Sequence, residues 1–150
     1  MKRVLMVCLG NICRSPLAEG ILKSKIDTDQ VLVESAGTGG WHVGELPDPR
    51  SIEVAQDHQI DITYQRCRKF TYSDFEDYDW IYVMDDSNLK DVLHLAKNDQ
   101  DKQKVRLILN EIYPDQNLDV PDPYYGGDKG FENVYQMLDE ACEIISNKLK

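Results

Sequence analysis

Residues 4–16 of the chain, from Val4 to Pro16, read VLMVCLGNICRSP, and this stretch decides the fold. Its four leading apolar residues predict a buried strand. Ser15 is a residue type that caps helices and Pro16 suits a first helical position, so a helix is expected to begin there. The stretch therefore predicts a strand, a short loop and a helix, with Cys8 and Arg14 six positions apart across the loop.

The loop from residue 8 to residue 14, called the anion loop below, has the composition of an oxyanion site. Backbone N–H groups converge at a helix N-terminus, where the helix dipole adds positive potential. Gly10 and Asn11 accept positive φ, which lets neighbouring N–H groups turn toward one point. The guanidinium of Arg14 matches two oxygens of a tetrahedral anion. The groups expected to bind phosphate are those of Leu9, Gly10, Asn11, Ile12, Cys13, Arg14 and Ser15.

Cys8 directly follows the predicted strand and is expected to lie beneath the bound anion. Thiols at helix N-termini beside a cation titrate at roughly 3.5–7.5 instead of about 8.5. The field that holds phosphate would thus keep the sulfur ionised and nucleophilic, with Ser15 placed to donate its hydroxyl to it. Two merely buried cysteines are the alternative, but burial gives no reason for Gly10 and Arg14 at these positions.

The composition of the chain fits one domain spanning residues 1–150. Its formal net charge of −10 is expected to repel nucleic acid and anionic membranes, so neither is expected as a partner. No apolar run reaches membrane-spanning length, and the run after Met1 is too short for a signal peptide. Four cysteines without disulfide-scaffold spacing favour a reducing cytoplasm.

Hydrophobic patterning along the rest of the chain predicts an α/β fold. A helix to about residue 26 and a strand at 31–33 complete a βαβ unit, which implies a parallel pair with a right-handed crossover. Further strands are expected at 80–84 and 105–109, and helices at 49–57, 86–96 and 131–149. Segments 35–49, 98–104 and 120–127 are expected to be loops. Catalytic groups then belong at the carboxyl ends of the strands, where Cys8 falls.

Three further positions each allow a functional and a structural interpretation. Asp122, held between two prolines, is a candidate general acid or an ordinary turn residue. Trp41, in a glycine-rich loop, either walls a pocket or pins the loop to the core. Asp85, at the end of the third predicted strand, either orients Arg14 or caps a helix. The basic patch 65–69 is expected to be a solvated surface rather than a substrate attractor.

The run Cys8-Leu-Gly-Asn-Ile-Cys-Arg14-Ser15-Pro16 resembles the loop of the low-molecular-weight protein tyrosine phosphatases, whose motif is Cys, five residues, then Arg-Ser near the N-terminus. Asp122-Pro123-Tyr124-Tyr125 is similar to the late Asp-Pro-Tyr/Phe of that family. The resemblance runs from Val4 to the last predicted helix. It implies one three-layer α/β domain of the flavodoxin-like type, with a four-stranded parallel sheet in the order 2-1-3-4 flanked by helices.

The resemblance also implies an activity, the hydrolysis of phosphotyrosine monoesters and small aryl phosphates through a phosphocysteine, without metal or cofactor. The expected partners are phosphotyrosine-containing proteins, the expected product is inorganic phosphate, and a monomer is expected. The resemblance implies that Cys8 is the nucleophile, Arg14 the phosphate binder and Asp122 the general acid and base. The residues implied as cleft walls are Ile12, Trp41, Tyr124 and Tyr125. Those implied as supports of the site are Ser15, Ser35 (through Asn11) and Asp85. Many vertebrate relatives carry a loop-supporting His near position 65, but this chain has Gln65, so that role is not assigned.

Two loop residues refine the hypothesis. A branch that resembles this family removes phosphate from arginine and carries Thr where this chain has Ile12, so Ile12 favours phosphotyrosine. Cys13 is expected to form a protective disulfide with Cys8 under oxidation, the alternative being a buried thiol.

Competing functions remain open. A thiol-dependent arsenate reductase shares the fold but needs a closely spaced later pair of cysteines, and only Cys67 and Cys142 remain. A protein-arginine phosphatase and a catalytically idle phosphopeptide-binding module are further candidates. A zinc site built from Cys8, Cys13 and a histidine lacks paired ligand spacing at His42, His58 and His94.

Overall fold

A computed structural model describes residues 1–123 and 129–150 of the chain. The sheet is parallel, with the strand order β2-β1-β3-β4. Its strands are β1 (Lys2–Cys8), β2 (Val31–Gly37), β3 (Trp80–Val83) and β4 (Val105–Leu107). The predicted α/β class and the strand order 2-1-3-4 are confirmed.

Helices flank the sheet along the described part of the chain. They are α1 (Arg14–Lys25), α2 (Pro49–Asp57), α3 (Ser73–Asp77), α4 (Asp86–Leu95), α5 (Asp99–Gln103) and α6 (Gly130–Lys148), with a 3-10 turn at Ile108–Glu111 after β4. None of the described helices combines the length and the apolarity needed to cross a membrane.

The central strand β1 is buried on both faces, which explains its unbroken apolar run. Val4 and Met6 belong to the core that includes residues of α1, α2 and α6, whereas Leu5 and Val7 belong to the core that includes residues of α3 and α4. This alternation follows from the two-residue period of a strand. Two apolar cores therefore support β1 from opposite sides and fix the position of its carboxyl end, where Cys8 lies.

The start of α1 differs from the prediction. The helix begins at Arg14, and Cys13 stands at the N-cap position without a side-chain cap. The prediction that Ser15 caps the helix is wrong, because its hydroxyl lies inside the first turn, 3.0 Å from the sulfur of Cys8. By contrast, Asp48 caps α2 as expected, accepting from the backbone N–H of Arg50 at 2.8 Å.

Other boundaries of strands and helices also differ from the predicted ones. β2 continues to Gly37, which is paired with Cys8, so the expectation of a loop from Ser35 onward is wrong at its start. The segment 98–104 contains α5, whose N-cap Asn98 accepts from the N–H of Asp101 at 2.9 Å. β4 ends at Leu107 and the chain turns into the 3-10 segment.

Candidate active site

The anion loop lies at the carboxyl end of β1, between that strand and α1. Cys8 closes the strand with only 2% of its surface exposed. Its sulfur lies 3.0 Å from the hydroxyl of Ser15 and accepts a hydrogen bond from the backbone N–H of Asn11 at 3.3 Å. The sulfur thus faces the inside of the loop, as the sequence predicts.

The carbonyl groups of the anion loop bind neighbours outside it. The pairs are Cys8 O with Thr38 N at 3.0 Å, Leu9 O with Gly39 N at 2.8 Å, Asn11 O with Cys67 Sγ at 2.8 Å, Ile12 O with Asp48 N at 2.8 Å, and Cys13 O with Ser51 Oγ at 3.4 Å. The residues directly after β2, the 42–48 segment, α2 and the 65–69 segment therefore hold the loop from its outer side.

These outward carbonyls determine where the N–H groups point. In a planar trans peptide, the C=O of one residue and the N–H of the next point in opposite directions. The N–H groups of residues 9, 10, 12, 13 and 14 are therefore directed to the inside of the loop, where the sulfur of Cys8 already accepts from Asn11. The result is a ring of donors suited to a tetrahedral oxyanion.

Asn11 fixes the conformation of the anion loop through both its backbone and its side chain. It adopts φ of 57°, a left-handed value that Asn tolerates better than most residues. Its side-chain NH₂ donates to Ser15 at 2.8 Å and to Ser35 at 3.0 Å, and its Oδ1 accepts from the backbone N–H of Arg68 at 3.0 Å. The contact between Ser35 and Asn11 that the resemblance implies is present. The expectation of positive φ at Gly10 is wrong, since Gly44 is the glycine with positive φ in the described chain.

The segment around Cys67 braces the loop, and sequence reasoning missed it. Burial, with the Cys8 sulfur and Glu45 nearby, raises the pKa of the Cys67 thiol to about 11, so at neutral pH it remains a protonated donor to Asn11. Arg68 is half-buried and ion-paired with Asp74 at 3.0 Å, which fixes the backbone that binds Asn11. The prediction of a solvated basic surface is therefore wrong for Arg68. No local sequence pattern signals either contact.

Arg14 is held in place from behind. Its Nη1 donates to Asp85 Oδ2 at 2.7 Å and to the carbonyl of Val120 at 2.9 Å, and only 4% of the residue is exposed. Burial acts to lower the pKa of Arg14, but the Cys8 sulfur and the Asp85 carboxylate outweigh it and raise that pKa above its ordinary value. The guanidinium therefore remains charged at the mouth of the ring.

Asp85 combines the two interpretations that the sequence left open. One carboxylate oxygen binds Arg14, and the other accepts from the N–H of Asn88 at 2.8 Å, which caps α4. Through these two bonds, Asp85 both caps α4 and orients the guanidinium of Arg14, the candidate phosphate binder.

A cleft of about 370 Å³ opens over the anion loop. Asp122 lies on its wall, which brings the candidate acid to the same cavity as the sulfur of Cys8. His42 also lines the cleft, and its ring would lie 3.3 Å from a Cβ added to Gly10. Sequence analysis did not place His42 in the cleft. The described lining residues are Cys8, Leu9, Gly10, Ile12, Cys13, Arg14, Trp41, His42 and Asp122. The predicted walls Tyr124 and Tyr125 lie outside the described residues.

Trp41 is 71% exposed and stands at the edge of this cleft. A Cβ added to Gly39 would lie 2.0 Å from its ring, so the indole rests directly on the Gly39 backbone. An exposed ring on a bare backbone is typical of a pocket wall and not of a core anchor. The geometry therefore favours the wall interpretation.

All four cysteines of the chain are buried free thiols. Burial, then the charges of Asp48 and Cys8, raise the pKa of Cys13 to about 12. Complete burial likewise raises the pKa of Cys142, whose sulfur contacts the carbonyl of Ala18 in the core. Cys13 lies in the same cleft as Cys8 and is a protonated thiol at neutral pH. Among the described residues, no three His, Cys, Asp or Glu side chains are grouped so as to hold a metal ion.

A parallel α/β sheet with a donor-lined loop at the end of its first strand, and a cysteine sulfur inside that loop, is the arrangement of a flavodoxin-like protein with a site suited to an oxyanion. The family model described as low molecular weight phosphotyrosine protein phosphatase matches residues 3–150, and the chain belongs to that family.

Individual relatives agree with this assignment. The low molecular weight phosphotyrosine protein phosphatase of Schizosaccharomyces pombe is 41% identical over 97% of this chain and 96% of its own length, and that of Homo sapiens is 40% identical over 98% and 95%. The crystal structure of a protein tyrosine phosphatase from Entamoeba histolytica is similar, with a TM-score of 0.92 and 37% identity, covering 99% of this chain and 97% of that one. A Drosophila arginine phosphatase matches with a TM-score of 0.89 and 34% identity, covering 100% and 98%.

Gly37 offers a direct test of the loop's geometry. A Cβ added there would lie 2.8 Å from the carbonyl oxygen of Leu9 and 3.0 Å from the backbone N of Asn11. Both contacts are with the anion loop, so Gly37→Ala must displace it. We expect kcat/KM for an aryl phosphate to fall about 100-fold, the scale of a displacement near 1 Å. In the matched Gly40→Ala variant, the new methyl would meet only Lys69 Cδ at 3.5 Å, so kcat/KM should change less than about twofold. Equal activity of the two variants would contradict the geometry.

Proposed function

We propose that this protein hydrolyses phosphotyrosine monoesters in phosphoproteins, and small aryl phosphates, through a phosphocysteine on Cys8. The outward binding of the loop carbonyls carries the proposal, because it turns the N–H groups of the loop toward one anion. Family membership supports it, since the relatives from S. pombe and man are named phosphotyrosine protein phosphatases.

In the first step the Cys8 thiolate attacks phosphorus in line with the leaving oxygen. The S–P bond forms while the P–O bond to the phenol breaks, and Asp122 gives its proton to that oxygen. The loop N–H groups and Arg14 hold the equatorial oxygens, on which the transition-state charge is spread. The Ser15 hydroxyl, 3.0 Å from the sulfur, stabilises the thiolate.

In the second step water attacks the phosphocysteine. Asp122, now a carboxylate, takes a proton from the water as the new P–O bond forms and the S–P bond breaks. Inorganic phosphate leaves, the Cys8 thiolate is restored and Asp122 is again protonated. Ser15 and the N–H of Asn11 stabilise sulfur as a leaving group, since both contact it in the free protein.

The cleft favours an aromatic phosphoester. Trp41 supplies a flat wall, and the branched apolar side chain of Ile12 lines the same cleft. An aromatic ring stacks on such a wall, whereas a phosphoguanidinium would bring additional N–H groups that need acceptors. The resemblance gives the same assignment, because Ile12 stands where the arginine-specific branch carries Thr.

The substrate assignment is tested by a panel of matched substrates. Peptides identical except for phosphotyrosine, phosphoserine or phosphoarginine should be assayed for phosphate release in the presence of EDTA, with arsenate reduction measured in parallel. We expect kcat/KM for the phosphotyrosine peptide to exceed the others by about 100-fold or more. A preference for phosphoarginine, or arsenate reduction at a comparable rate, would contradict the proposal.

A further inference from the structure

A second groove adjoins the catalytic cleft at Trp41. Its volume is about 520 Å³, and it shares two wall residues, Leu9 and Trp41, with that cleft. It is also lined by Gly40 and by His94 and Leu95 of α4. The two depressions therefore meet at the side chains of Leu9 and Trp41.

The groove exposes large apolar side chains that a soluble protein normally covers. Trp41, Leu9 and Leu95 are 71%, 40% and 43% exposed, and all three line this one surface. Contiguous apolar surface of this kind marks an interaction site. Its continuity with the catalytic cleft indicates which partner is in reach, namely the chain that carries the phosphorylated side chain.

The groove also carries a local positive charge. Lys69 lines it and passes across Gly40, where a Cβ would lie 3.5 Å from the lysine Cδ. The chain as a whole has a formal charge of −10, so a carboxylate approaching from solvent is repelled except near such a cation. Asp91 on the α4 side disfavours a second carboxylate there.

We propose that this groove binds the residues flanking phosphotyrosine in the substrate, with an apolar side chain against Leu95 and Trp41 and an acidic side chain beside Lys69. This inference rests on the proposed function and adds its sequence preference. Lys69 and Leu95 line the groove but not the catalytic cleft, so they are expected to act on peptides and not on a small aryl phosphate bound in the loop.

The test compares kcat/KM for para-nitrophenyl phosphate with kcat/KM for phosphotyrosine peptides of equal length. Each peptide varies two positions within three residues of phosphotyrosine, on the N-terminal side in one set and on the C-terminal side in a second set. These two positions carry Leu and Glu in one peptide of the set, and Ser and Lys in the other. In one of the two sets, kcat/KM of the wild-type protein should be about tenfold higher for the Leu/Glu peptide than for the Ser/Lys peptide. This is the effect expected from burying one apolar side chain. Leu95→Asp should remove most of that preference and leave para-nitrophenyl phosphate turnover within about twofold.

Two charge-reversal variants, one inside the groove and one outside it, form a matched pair. Lys69→Glu should lower kcat/KM for the Leu/Glu peptide about threefold and raise it for a Leu/Lys peptide, as expected for an exposed ion pair. Lys102→Glu makes the same charge change on α5, outside the groove, and should leave the peptide preference unchanged. Added salt should reduce the Lys69 effect.

Four outcomes would overturn the inference. Peptide turnover that is indifferent to flanking residues, or to both groove variants, would reject the groove while leaving the proposed function intact. Equal losses on peptide and para-nitrophenyl phosphate would assign the effect to altered folding of the cleft. A dimer that Leu95→Asp converts to monomer in sedimentation would assign the groove to self-association. Failure of wild-type protein to hydrolyse any phosphotyrosine peptide would reject the proposed function, and this inference with it.

Discussion

Cys8→Ser is expected to lower kcat for para-nitrophenyl phosphate by roughly 10⁴-fold or more, the scale seen when a covalent enzyme loses its nucleophile. A serine hydroxyl remains protonated at neutral pH. Among the described residues, the hydrogen-bond partners of the sulfur are the Ser15 hydroxyl and the Asn11 N–H, and neither is a base that would activate a serine. Steady-state release of para-nitrophenolate measures the effect.

Two controls separate the loss of chemistry from the loss of the site. Cys8→Ser should still bind inorganic phosphate, because the ring of N–H groups and Arg14 is retained, and this binding is measurable by calorimetry. Cys13→Ser alters another thiol of the same cleft and should cost at most about tenfold in kcat. Substantial turnover by Cys8→Ser, or an equal collapse in Cys13→Ser, would remove Cys8 from the centre of the mechanism.

Asp122→Asn is expected to lower kcat/KM for a phosphotyrosine peptide by roughly 10²–10⁴-fold, the usual contribution of a positioned general acid. The loss should be much smaller for the first step with para-nitrophenyl phosphate, because its leaving group departs without a proton. A burst of para-nitrophenolate followed by slow turnover is then expected, since water attack still lacks its base.

The matched control is Asp115→Asn, which changes another exposed carboxylate at a position of positive φ that Asn accepts. It should leave both rate constants within about twofold. If Asp122→Asn slowed the two substrates equally and gave no burst, Asp122 would not be the proton donor to the leaving group.

Much of the fold was predictable because its signals are local. The apolar run before Cys8 required a strand buried on both faces, and Asp48-Pro49 supplied both the cap and the first residue of α2. The strand order came from the family resemblance rather than from the pattern. Boundaries failed where tertiary pairing outweighed propensity: β2 runs on to Gly37 because β1 offers it a partner as far as Cys8.

The site was predictable only in part. The sequence placed Cys8 and Arg14 around a loop, and it raised Asp85 as a partner for Arg14. Ser15 was misassigned because a helix that leaves its first N–H groups for an anion needs no side-chain cap, so the usual capping preference does not apply.

Two of the contacts that hold Asn11, those from Cys67 and Arg68, were not predictable. Cys67 and Arg68 are more than fifty positions from the loop, and they act through a thiol and a backbone N–H, groups that carry no motif.

The most direct measurement of the mechanism is the mass of the Cys8 peptide after Asp122→Asn protein is mixed with para-nitrophenyl phosphate and quenched in acid during slow turnover. The account predicts that this peptide carries one phosphoryl group on Cys8, in an amount matching the burst of para-nitrophenolate. Continued turnover with an unmodified Cys8, or with the phosphoryl group on another residue, would contradict it.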